Sequence, residues 1–396
     1  MKPLSFVLIC DTYPPVVGGS EVEAQRVCSA MIARGHQARV LCAGGPPMPE
    51  LRDWIDPAGV PTHILTRTSR GRIKDLVFAL RVAWWLWRER NNYQLVYFLM
   101  QGLHLAAGLP VARLLGKPIV MKFGGSGVIP LMRRSRAGRV ELGWLNRWAS
   151  RLMVLNQGMV DEAIADGFRH EQLYWMPNPT DTNAFRPPVD AEEQARVRAG
   201  LGLAADARII LYVGRLAPEK GLHWLIEAFA TVAQTNPKFQ LVLCGDGPQR
   251  AALTAQAAAL AIPAEQLLFA GSRPVAEVAT WCRAADVFAL TSPSEGFSCA
   301  LAEAMASGLP AVVSDIPANA QLIHHQSSGF MVPTGDTAAI ADALNRLLSD
   351  GPLRAAYGEA ARRHILDNYS LDQVIVLYEN LFAEIIAKSE SAGSRK

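Results

Sequence analysis

Two carboxylates stand out because they flank a short segment between two strand-like runs. Glu295 and Glu303 lie eight residues apart within Thr291 to Asp315. Turn residues end the first apolar run, small helix formers follow, and Gly308 precedes the second run. The pattern predicts strand, loop, short helix and strand, with Ser298 as the N-cap of the helix and Glu295 in the loop before it.

Glu303 is expected on a helix face made of small side chains, since its neighbours three and four positions away are Cys299, Ala300, Ala306 and Ser307. Such a face lets a ligand approach the helix while the carboxylate accepts hydrogen bonds from a diol. A helix packed tightly on a sheet, with Glu303 paired to an arginine, has the same spacing. These residues alone leave both interpretations open.

Two cations form a second candidate group. Arg215 and Lys220 lie five residues apart in the segment G-R-L-A-P-E-K-G, which follows a strand-like run and precedes a predicted helix at Gly221. Cations beside a helix N-terminus can neutralise a diphosphate. A surface pair with Glu219 or Glu227 is the alternative.

The elements that must position these residues belong to an α/β protein. The chain has 396 residues, half of them hydrophobic, which is enough for two cores. Buried-strand runs alternate with helical patterns from residue 4 onwards, and Ser20 to Glu23 reads as a capping box behind the pair Gly18 and Gly19. A Pro-rich stretch then places a domain boundary near 187, after which the alternation restarts.

The charge distribution and composition limit the classes of partner that the chain is expected to bind. Residues 1–185 carry a net charge of +8 and the remainder −5, within a total of +3. A basic half that contains Trp84, Trp85 and Trp87, with arginines at 133, 134, 136 and 139, is compatible with contact to anionic lipid. A solvated basic face with tryptophans in the core fits equally. No nucleic-acid motif and no apolar run of membrane-spanning length accompany these residues. Six scattered cysteines suit reduced thiols in the cytoplasm.

The segment E-G-F-S-C-A-L-A-E, followed by A-M-A-S-G-L-P, resembles the E-x7-E signature of retaining GT-B glycosyltransferases of family 4. The segment P-P-V-V-G-G-S-E is similar to the G-G-x-E loop of that family, and G-R-L-A-P-E-K-G is similar to its diphosphate-binding loop. The resemblance spans nearly the whole chain. It implies two facing Rossmann-like domains with parallel sheets at 1–187 and 188–370, and a C-terminal helix within 371–396 that crosses back to the first domain.

The same resemblance implies roles for single residues. Glu295 would approach the donor sugar, Glu303 the ribose, and Arg215 and Lys220 the donor diphosphate, so Arg215, Lys220 and Glu295 are the predicted catalytic residues. The complete predicted donor site comprises Gly18, Gly19, Arg215, Lys220, Arg273, Glu295, Gly296, Phe297, Ser298 and Glu303.

At one point the chain departs from its relatives. Where many members have a T-x-H-G segment, this sequence reads M-K-F-G-G-S-G and lacks the histidine. Lys122, Gly124 and Gly125 stand there, at the predicted end of a strand where α/β sheets place ligands. They are candidates for the acceptor or sugar side of the site, and a structural turn is the alternative.

The predicted function is therefore a retaining hexosyltransferase that moves a sugar from a nucleotide diphosphate sugar to a hydroxyl of a carbohydrate or lipid-linked acceptor, in polysaccharide, lipopolysaccharide or glycolipid biosynthesis. No D-x-D motif occurs, so no cofactor and no essential metal is expected. The predicted location is the cytoplasm, at the inner face of the membrane if the basic half contacts lipid. A nucleotide-sugar epimerase or hydrolase, and a non-catalytic nucleotide-sugar binding protein, are the alternatives.

Overall fold

The computed structural model describes residues 2–15, 18–43, 53–66 and 72–393. The chain divides into two compact units: unit 1 comprises Met1–Pro179 and Leu371–Lys396, and unit 2 comprises Thr180–Ser370. The predicted boundary near 187 falls inside unit 2. Thr180 belongs there because its backbone N–H donates to the carbonyl of Tyr369 at 2.8 Å.

Unit 1 is built on an eight-stranded sheet with the order β3-β4-β2-β1-β5-β6-β7-β8. All neighbouring strands are parallel except β3 and β4. The strand order reverses direction between β1 and β5, which makes their carboxyl ends the topological switch point of this sheet. The strands are β1 Ser5–Cys10, β2 Gln37–Cys42, β3 Asp53–Ile55, β4 Pro61–Ile64, β5 Leu95–Leu99, β6 Ile119–Lys122, β7 Arg151–Val154 and β8 Leu173–Trp175.

Helices cover both faces of this sheet, as a parallel sheet requires. Helix α2 packs on α3, and α3 packs on α5, while α1 packs on α15. The helices of unit 1 are α1 Gly19–Ala33, α2 Arg72–Arg88, α3 His104–Leu114, α4 Val128–Arg133, α5 Arg136–Trp148, α6 Gln157–Ala165 and α15 Leu371–Gly393.

Helix α15 belongs to the core of unit 1 although it lies nearly two hundred residues downstream of it. Phe382 meets Phe6 of β1 edge to face, with 5.1 Å between ring centroids, and Tyr378 lies beside Tyr97 of β5. The crossing C-terminal helix is thereby confirmed. The helix continues to Gly393.

A buried ionic cluster joins three elements of unit 1. Lys122 at the end of β6 is 1% exposed, and its ammonium contacts the carboxylate of Glu23 on α1. The same ammonium donates to Asn178 Oδ1 at 2.8 Å and lies 3.3 Å from the hydroxyl of Tyr378, which donates to Glu23 Oε1 at 3.0 Å. The predicted capping box is therefore wrong. Helix α1 begins at Gly19 with Gly18 as its N-cap, and Glu23 points inward because Lys122 lies there.

Unit 2 is built on a six-stranded parallel sheet with the order β11-β10-β9-β12-β13-β14. Because every strand runs the same way, the loops after β9, β10, β11 and β12 all lie at one edge. Its strands are β9 Arg208–Val213, β10 Phe239–Cys244, β11 Leu267–Phe269, β12 Val287–Leu290, β13 Ala311–Ser314 and β14 Gly329–Val332. Its helices are α7 Ala191–Gly200, α8 Leu222–Ala233, α9 Arg250–Ala259, α10 Val275–Ala284, α11 Cys299–Ala306, α12 Pro317–Ala320, α13 Thr337–Ser349 and α14 Gly351–Asn368.

Candidate functional site

The loop between β9 and α8 carries the two predicted cations and lies against the loop that follows β12. Gly221, the N-cap of α8, has a positive φ of 62°, and a Cβ there would lie 2.4 Å from the carbonyl oxygen of Thr291. The hydroxyl of Thr291 in turn donates to the carbonyl of Gly221 at 3.1 Å. Since β9 and β12 are neighbours, this contact fixes the two loops to each other.

The same contact brings Lys220 to Glu295. The Lys220 ammonium donates to Glu295 Oε1 at 2.7 Å, and the two side chains are 21% and 12% exposed. A cation and a carboxylate that are mostly shielded from water attract each other more strongly than a surface pair. The pair places an anion-binding group and an acceptor of sugar hydroxyl hydrogen bonds side by side at the carboxyl edge of the sheet.

Arg215 is arranged differently from Lys220. Its guanidinium contacts the carboxylate of Glu219, and both side chains are half-exposed or more. The surface pair considered as the alternative for Arg215 is therefore present. The backbone of Arg215 is held by Tyr212, whose hydroxyl donates to the Arg215 carbonyl at 3.0 Å. An exposed pair of this kind holds a side chain weakly, so the guanidinium can turn towards a bound anion.

Close backbone contacts join the loops after β9 and β10. A Cβ on Gly245 would lie 1.8 Å from the carbonyl oxygen of Gly214, and one on Gly247 would lie 2.4 Å from that of Leu216. The run Gly245-Asp246-Gly247 fails the dinucleotide fingerprint, and the structure gives it a packing role that only glycine permits. These glycines allow the two loops to pack closely and so help to position the loop that carries Arg215.

The loop and helix after β12 hold the rest of the signature. Phe297 is buried and packs on Tyr369, with 5.8 Å between ring centroids. Ser298 occupies the N-cap position of α11, but its hydroxyl donates to Asn319 Oδ1 at 2.7 Å instead of capping the helix. Asn319 outcompetes the helix end because it is itself fixed by a bond to the Ser314 carbonyl at 2.9 Å. Ser298 is thus the N-cap, as predicted, but its side chain makes no capping hydrogen bond.

Glu303 lies in the second half of α11, as the fifth of its eight residues, and is half-buried. Leu301 and Met305, on either side of it in sequence, are fully buried. Burial and, to a smaller extent, the charge of Glu303 raise the pKa of the Cys282 thiol. Burial also raises the pKa of Cys244, at the end of β10, to about 11. These thiols stay protonated at neutral pH and offer no thiolate nucleophile.

Arg273 lies at the same edge, in the loop after β11. Its Nε donates to the carbonyl of Ala270 at 2.9 Å, and its guanidinium lies 3.3 Å from the carboxylate of Glu277. Unit 2 thus brings the loops that carry Arg215, Lys220, Arg273, Glu295 and Gly296 to one edge of its sheet, and Glu303 follows on helix α11.

In unit 1, the pair Gly18 and Gly19 opens helix α1. Gly18 is extended, its carbonyl accepts from Val22, and a Cβ on it would lie 2.2 Å from the carboxylate of Glu21. Glu21 also accepts from the hydroxyl of Thr12. The N-terminus of α1 therefore has an acidic side chain folded over it, at the place where a helix favours negative charge.

Lys122 does not line a surface in unit 1, because the buried cluster with Glu23 encloses its ammonium. The expectation that Lys122 reaches an acceptor or sugar is thus not supported by its position. Gly124, in contrast, is exposed, and a Cβ on it would lie 2.5 Å from Met100 Sδ at the end of β5. Gly125 is half-buried in the same turn. The two glycines let the loop after β6 approach that after β5.

A polar group at the switch point of unit 1 was not singled out from the sequence. His104 is fully buried between Phe78 and Phe98, and its Nδ1 lies 3.5 Å from Asp11 Oδ1. Neither ring nitrogen has a hydrogen-bond partner among the described residues, and the same holds for Gln101 Oε1. Asp11 directly follows β1, and its side chain is half-exposed. The buried imidazole therefore lies beside a carboxylate that is accessible from the surface. A histidine within an apolar helix carries no local signal that would have revealed this pair.

A membrane-spanning helix and a metal-binding cluster are both absent from the described part of the chain. No helix there combines the length and apolar character needed to cross a bilayer. No group of three or more His, Cys, Asp or Glu side chains there is arranged to hold a metal ion.

Comparison with known proteins matches both halves of the chain to family models. Residues 193–364 match the model "Glycosyl transferases group 1", and residues 18–179 match "Glycosyl transferase 4-like domain". Among curated proteins, the phosphatidyl-myo-inositol mannosyltransferase of Mycobacterium leprae is 28% identical over 94% of this chain and 96% of its own length. The D-inositol 3-phosphate glycosyltransferase of Corynebacterium urealyticum is 35% identical over 51% of this chain and 49% of its own.

Several other curated relatives are matched over about half of their length, and an exopolysaccharide phosphotransferase of Streptomyces coelicolor over 19% of its length. Among solved structures, Anabaena HepE in complex with UDP and glucose aligns with a TM-score of 0.80 at 21% identity, over 96% of this chain and all of that one. WaaG, a glycosyltransferase of lipopolysaccharide biosynthesis, aligns at 0.73 and 19% identity, over 95% of this chain and 99% of that one. Together the motifs, the two sheets and these matches show that the chain belongs to the group 1 glycosyltransferases of family 4 type and has the GT-B fold.

Proposed function

We propose that the protein is a retaining hexosyltransferase that moves a sugar from a nucleotide diphosphate sugar to an acceptor hydroxyl. The observation that carries the proposal is the Lys220–Glu295 pair, 2.7 Å apart and largely shielded from water at the carboxyl edge of the unit 2 sheet. A diphosphate requires cations and a hexose requires hydrogen-bond acceptors, and this pair offers both groups at one point.

The chemistry follows from the charge that develops during transfer. As the glycosidic bond breaks, negative charge accumulates on the departing diphosphate, and Lys220 and Arg215 would stabilise it. Arg215 would leave Glu219 to do so, which its exposure permits. Removal of one such cation should cost ~2.7 to 4 kcal/mol of barrier, which corresponds to roughly a hundredfold to a thousandfold in rate.

Retention of configuration is proposed through a front-face route. The departing phosphate oxygen would take the proton of the acceptor hydroxyl while that hydroxyl attacks the anomeric carbon from the same side. The protonated thiols of Cys244 and Cys282 are not suited to form a covalent intermediate. Linkage analysis of the product by NMR would test this, because an inverted anomeric centre would contradict the route.

We further propose that the two cations replace a divalent metal at the diphosphate and that no metal is essential. The expected result is full turnover after exhaustive treatment with EDTA. Loss of turnover that magnesium or manganese restores would overturn this part of the proposal, without affecting the assignment of Lys220 and Glu295 to the donor site.

For the acceptor, we propose a polyhydroxylated molecule, either a carbohydrate or a lipid-linked sugar or polyol, in the biosynthesis of a polysaccharide, lipopolysaccharide or glycolipid on the cytoplasmic side of the membrane. Two relatives are named for phosphatidyl-myo-inositol and inositol 3-phosphate, both of which contain a cyclic polyol. In unit 1, Asp11 offers a carboxylate at the switch point, where α/β sheets place ligands.

The decisive experiment is calorimetric titration of UDP, GDP and ADP, and of their common sugar conjugates, into the wild type, Lys220→Ala and Arg215→Ala. One nucleotide series should bind, with affinity reduced at least tenfold in each variant. Lys238→Ala is the matched control, because Lys238 forms a 2.7 Å pair with Asp206 at the opposite edge of the same sheet. Absence of binding to any conjugate, or equal losses in the control, would contradict the donor site.

Two alternatives differ from this proposal in what they do with the donor. An epimerase or hydrolase of the same fold would consume the donor when no acceptor is present. A non-catalytic binding protein would bind the donor, and Glu295→Gln would change only its affinity. Chromatography of the donor after incubation with and without a mixture of acceptors separates the three.

A further inference from the structure

Helix α2 has a second apolar face, opposite the face that packs on α3. On the inner side of the helix, Phe78, Val82 and Leu86 are at most 1% exposed. On the outer side, five large apolar residues follow each other at intervals of three and four, which places them along one side of the helix. This α2 stripe consists of Ile73, Leu76, Leu80, Trp84 and Trp87, which are 81, 52, 59, 56 and 50% exposed.

A stripe of this kind is unusual on a surface in contact with water alone. Single exposed leucines are ordinary, but a continuous row of five large apolar side chains marks a surface that meets an apolar partner. The packing of α2 on α3 does not require it, because the inner face already supplies the contact. The α2 stripe therefore needs an occupant of its own.

The charge around the stripe identifies the kind of occupant. Residues 72–151 contain 14 Lys and Arg but only three Asp and Glu, a net charge of +11 in a chain whose total is +3. Lys122 and Glu141 are buried, so their removal leaves the excess unchanged at the surface. Right-handed crossovers put α2, α3 and α5 on the same face of the sheet. These three helices carry eight of the cations against Asp75 and Glu141, whereas Arg133 and Arg151 are paired with Asp166 and Glu384.

The tryptophans of the stripe are paired with cations. The guanidinium carbon of Arg88 lies 5.0 Å from the ring centroid of Trp84, and that of Arg90 lies 5.5 Å from the ring centroid of Trp87. Indole rings flanked by cationic groups suit the depth at which lipid headgroups meet acyl chains. The leucines and Ile73 continue the apolar row towards the other end of the helix.

We propose that the α2 stripe inserts into the surface of an anionic membrane, with the outer faces of α2, α3 and α5 lying on the headgroups. The proposal deepens the proposed function by naming the partner of unit 1, but it does not depend on the donor site in unit 2. A second copy of the chain is disfavoured, because two layers of this charge repel each other. A nucleic acid would match the charge but leave the aliphatic residues of the stripe uncovered.

The test is sedimentation with vesicles of phosphatidylcholine alone and of phosphatidylcholine mixed with phosphatidylglycerol. The wild type should bind the mixed vesicles, and binding should weaken with added salt, because each cation near an anionic surface contributes roughly fivefold to partitioning. Leu80→Gln and Trp84→Gln should each weaken binding about tenfold, since each removes an inserting side chain. Val189→Gln in unit 2 is the matched control, because Val189 is an apolar residue that is even more exposed, at 79%.

Each outcome decides the proposal. Binding to mixed vesicles that the two α2 variants lose and the control keeps would support it, provided that circular dichroism shows the variants folded. No wild-type binding, or equal binding of all variants, would overturn it. A concentration-dependent mass in light scattering that Trp84→Gln abolishes, without vesicle binding, would instead identify a second copy as the occupant. Calorimetric donor binding, measured on the same samples, shows separately whether the proposed donor site holds.

Discussion

The buried cluster of Lys122, Glu23, Asn178 and Tyr378 allows a sharp prediction about stability. Substitution Lys122→Met keeps the length and apolar stem of the side chain but removes the ammonium. The carboxylate of Glu23, 4% exposed, then keeps the hydroxyl of Tyr378 at 3.0 Å and loses its only cation in the cluster. The oxygen of Asn178 loses the donor that lies 2.8 Å away.

The expected magnitude follows from this geometry. Removing one partner of a buried ion pair costs about 3 to 5 kcal/mol, because a charge is left without compensation in the interior. The surviving Tyr378 bond places Lys122→Met near the lower end, at about 3 kcal/mol. For a unit of this size, that corresponds to a fall of roughly 10 °C in Tm. The double variant Glu23→Gln with Lys122→Met removes both charges, so most of the loss should be recovered.

Urea denaturation followed by tryptophan fluorescence would measure the wild type, both single variants and the double variant as a cycle. We expect a coupling free energy of about 2 kcal/mol between positions 23 and 122. Lys238→Met, which breaks the exposed Lys238–Asp206 pair, should cost less than about 1 kcal/mol. The reasoning fails if Lys122→Met costs no more than this control, or if the losses in the double variant simply add.

Three further predictions concern single features. Gly245→Ala should lower the free energy of unfolding by ~2 to 4 kcal/mol, because its Cβ would meet a carbonyl oxygen at 1.8 Å. In the same denaturation assay, Gly200→Ala should be neutral or stabilising, because the space around Gly200 is open. Arg186 holds the pKa of Glu193 down, from 4.5 to about 2, so the pair stabilises unit 2 above pH 4.5 and this stability is lost as the pH falls towards 2. Glu193→Gln should flatten the dependence of the free energy of unfolding on pH in that window, and an unchanged acid limb would refute the assignment. His104→Leu should raise the free energy of unfolding by ~1 kcal/mol, because it removes two buried nitrogens that have no hydrogen-bond partner among the described residues. A loss of stability would show that the imidazole is needed for packing or for its contact with Asp11.

The sequence predicted the order of the elements well because parallel strands buried on both faces are continuous apolar runs. The apolar run that begins at residue 4 forms β1, Ser5–Cys10, and the run that the turn residues from Thr291 end forms β12, Val287–Leu290. Strands β3 and β8 were not predicted, since these edge strands have three residues each and lack a buried apolar run. Local patterns of this length are also typical of loops.

The contacts that the sequence did not predict share one cause, because each joins residues that are distant in sequence. The S-x-x-E pattern predicted a capping box, but Glu23 turns to Lys122, 99 residues away. Ser298 is the N-cap of α11, as expected, but its hydroxyl donates to Asn319, 21 residues away. Likewise Lys220 and Glu295 were assigned separate roles, and their pairing over 75 residues depends on β9 and β12 being neighbours. The order of strands in a sheet cannot be read from their order along the chain.

Helix α15 has a consequence for the way the protein is made. The ribosome must synthesise all of Thr180–Ser370 before Leu371–Gly393 appears, which takes roughly ten to forty seconds at ordinary rates of elongation. During that interval, the side chains that Phe382 and Tyr378 will cover, such as Phe6 and Tyr97, have no partner on that side. The segment translated first is thus completed last, while the uninterrupted unit 2 can fold ahead of it. A nascent chain of this design spends its synthesis with an open apolar face, which is the situation in which chaperones bind.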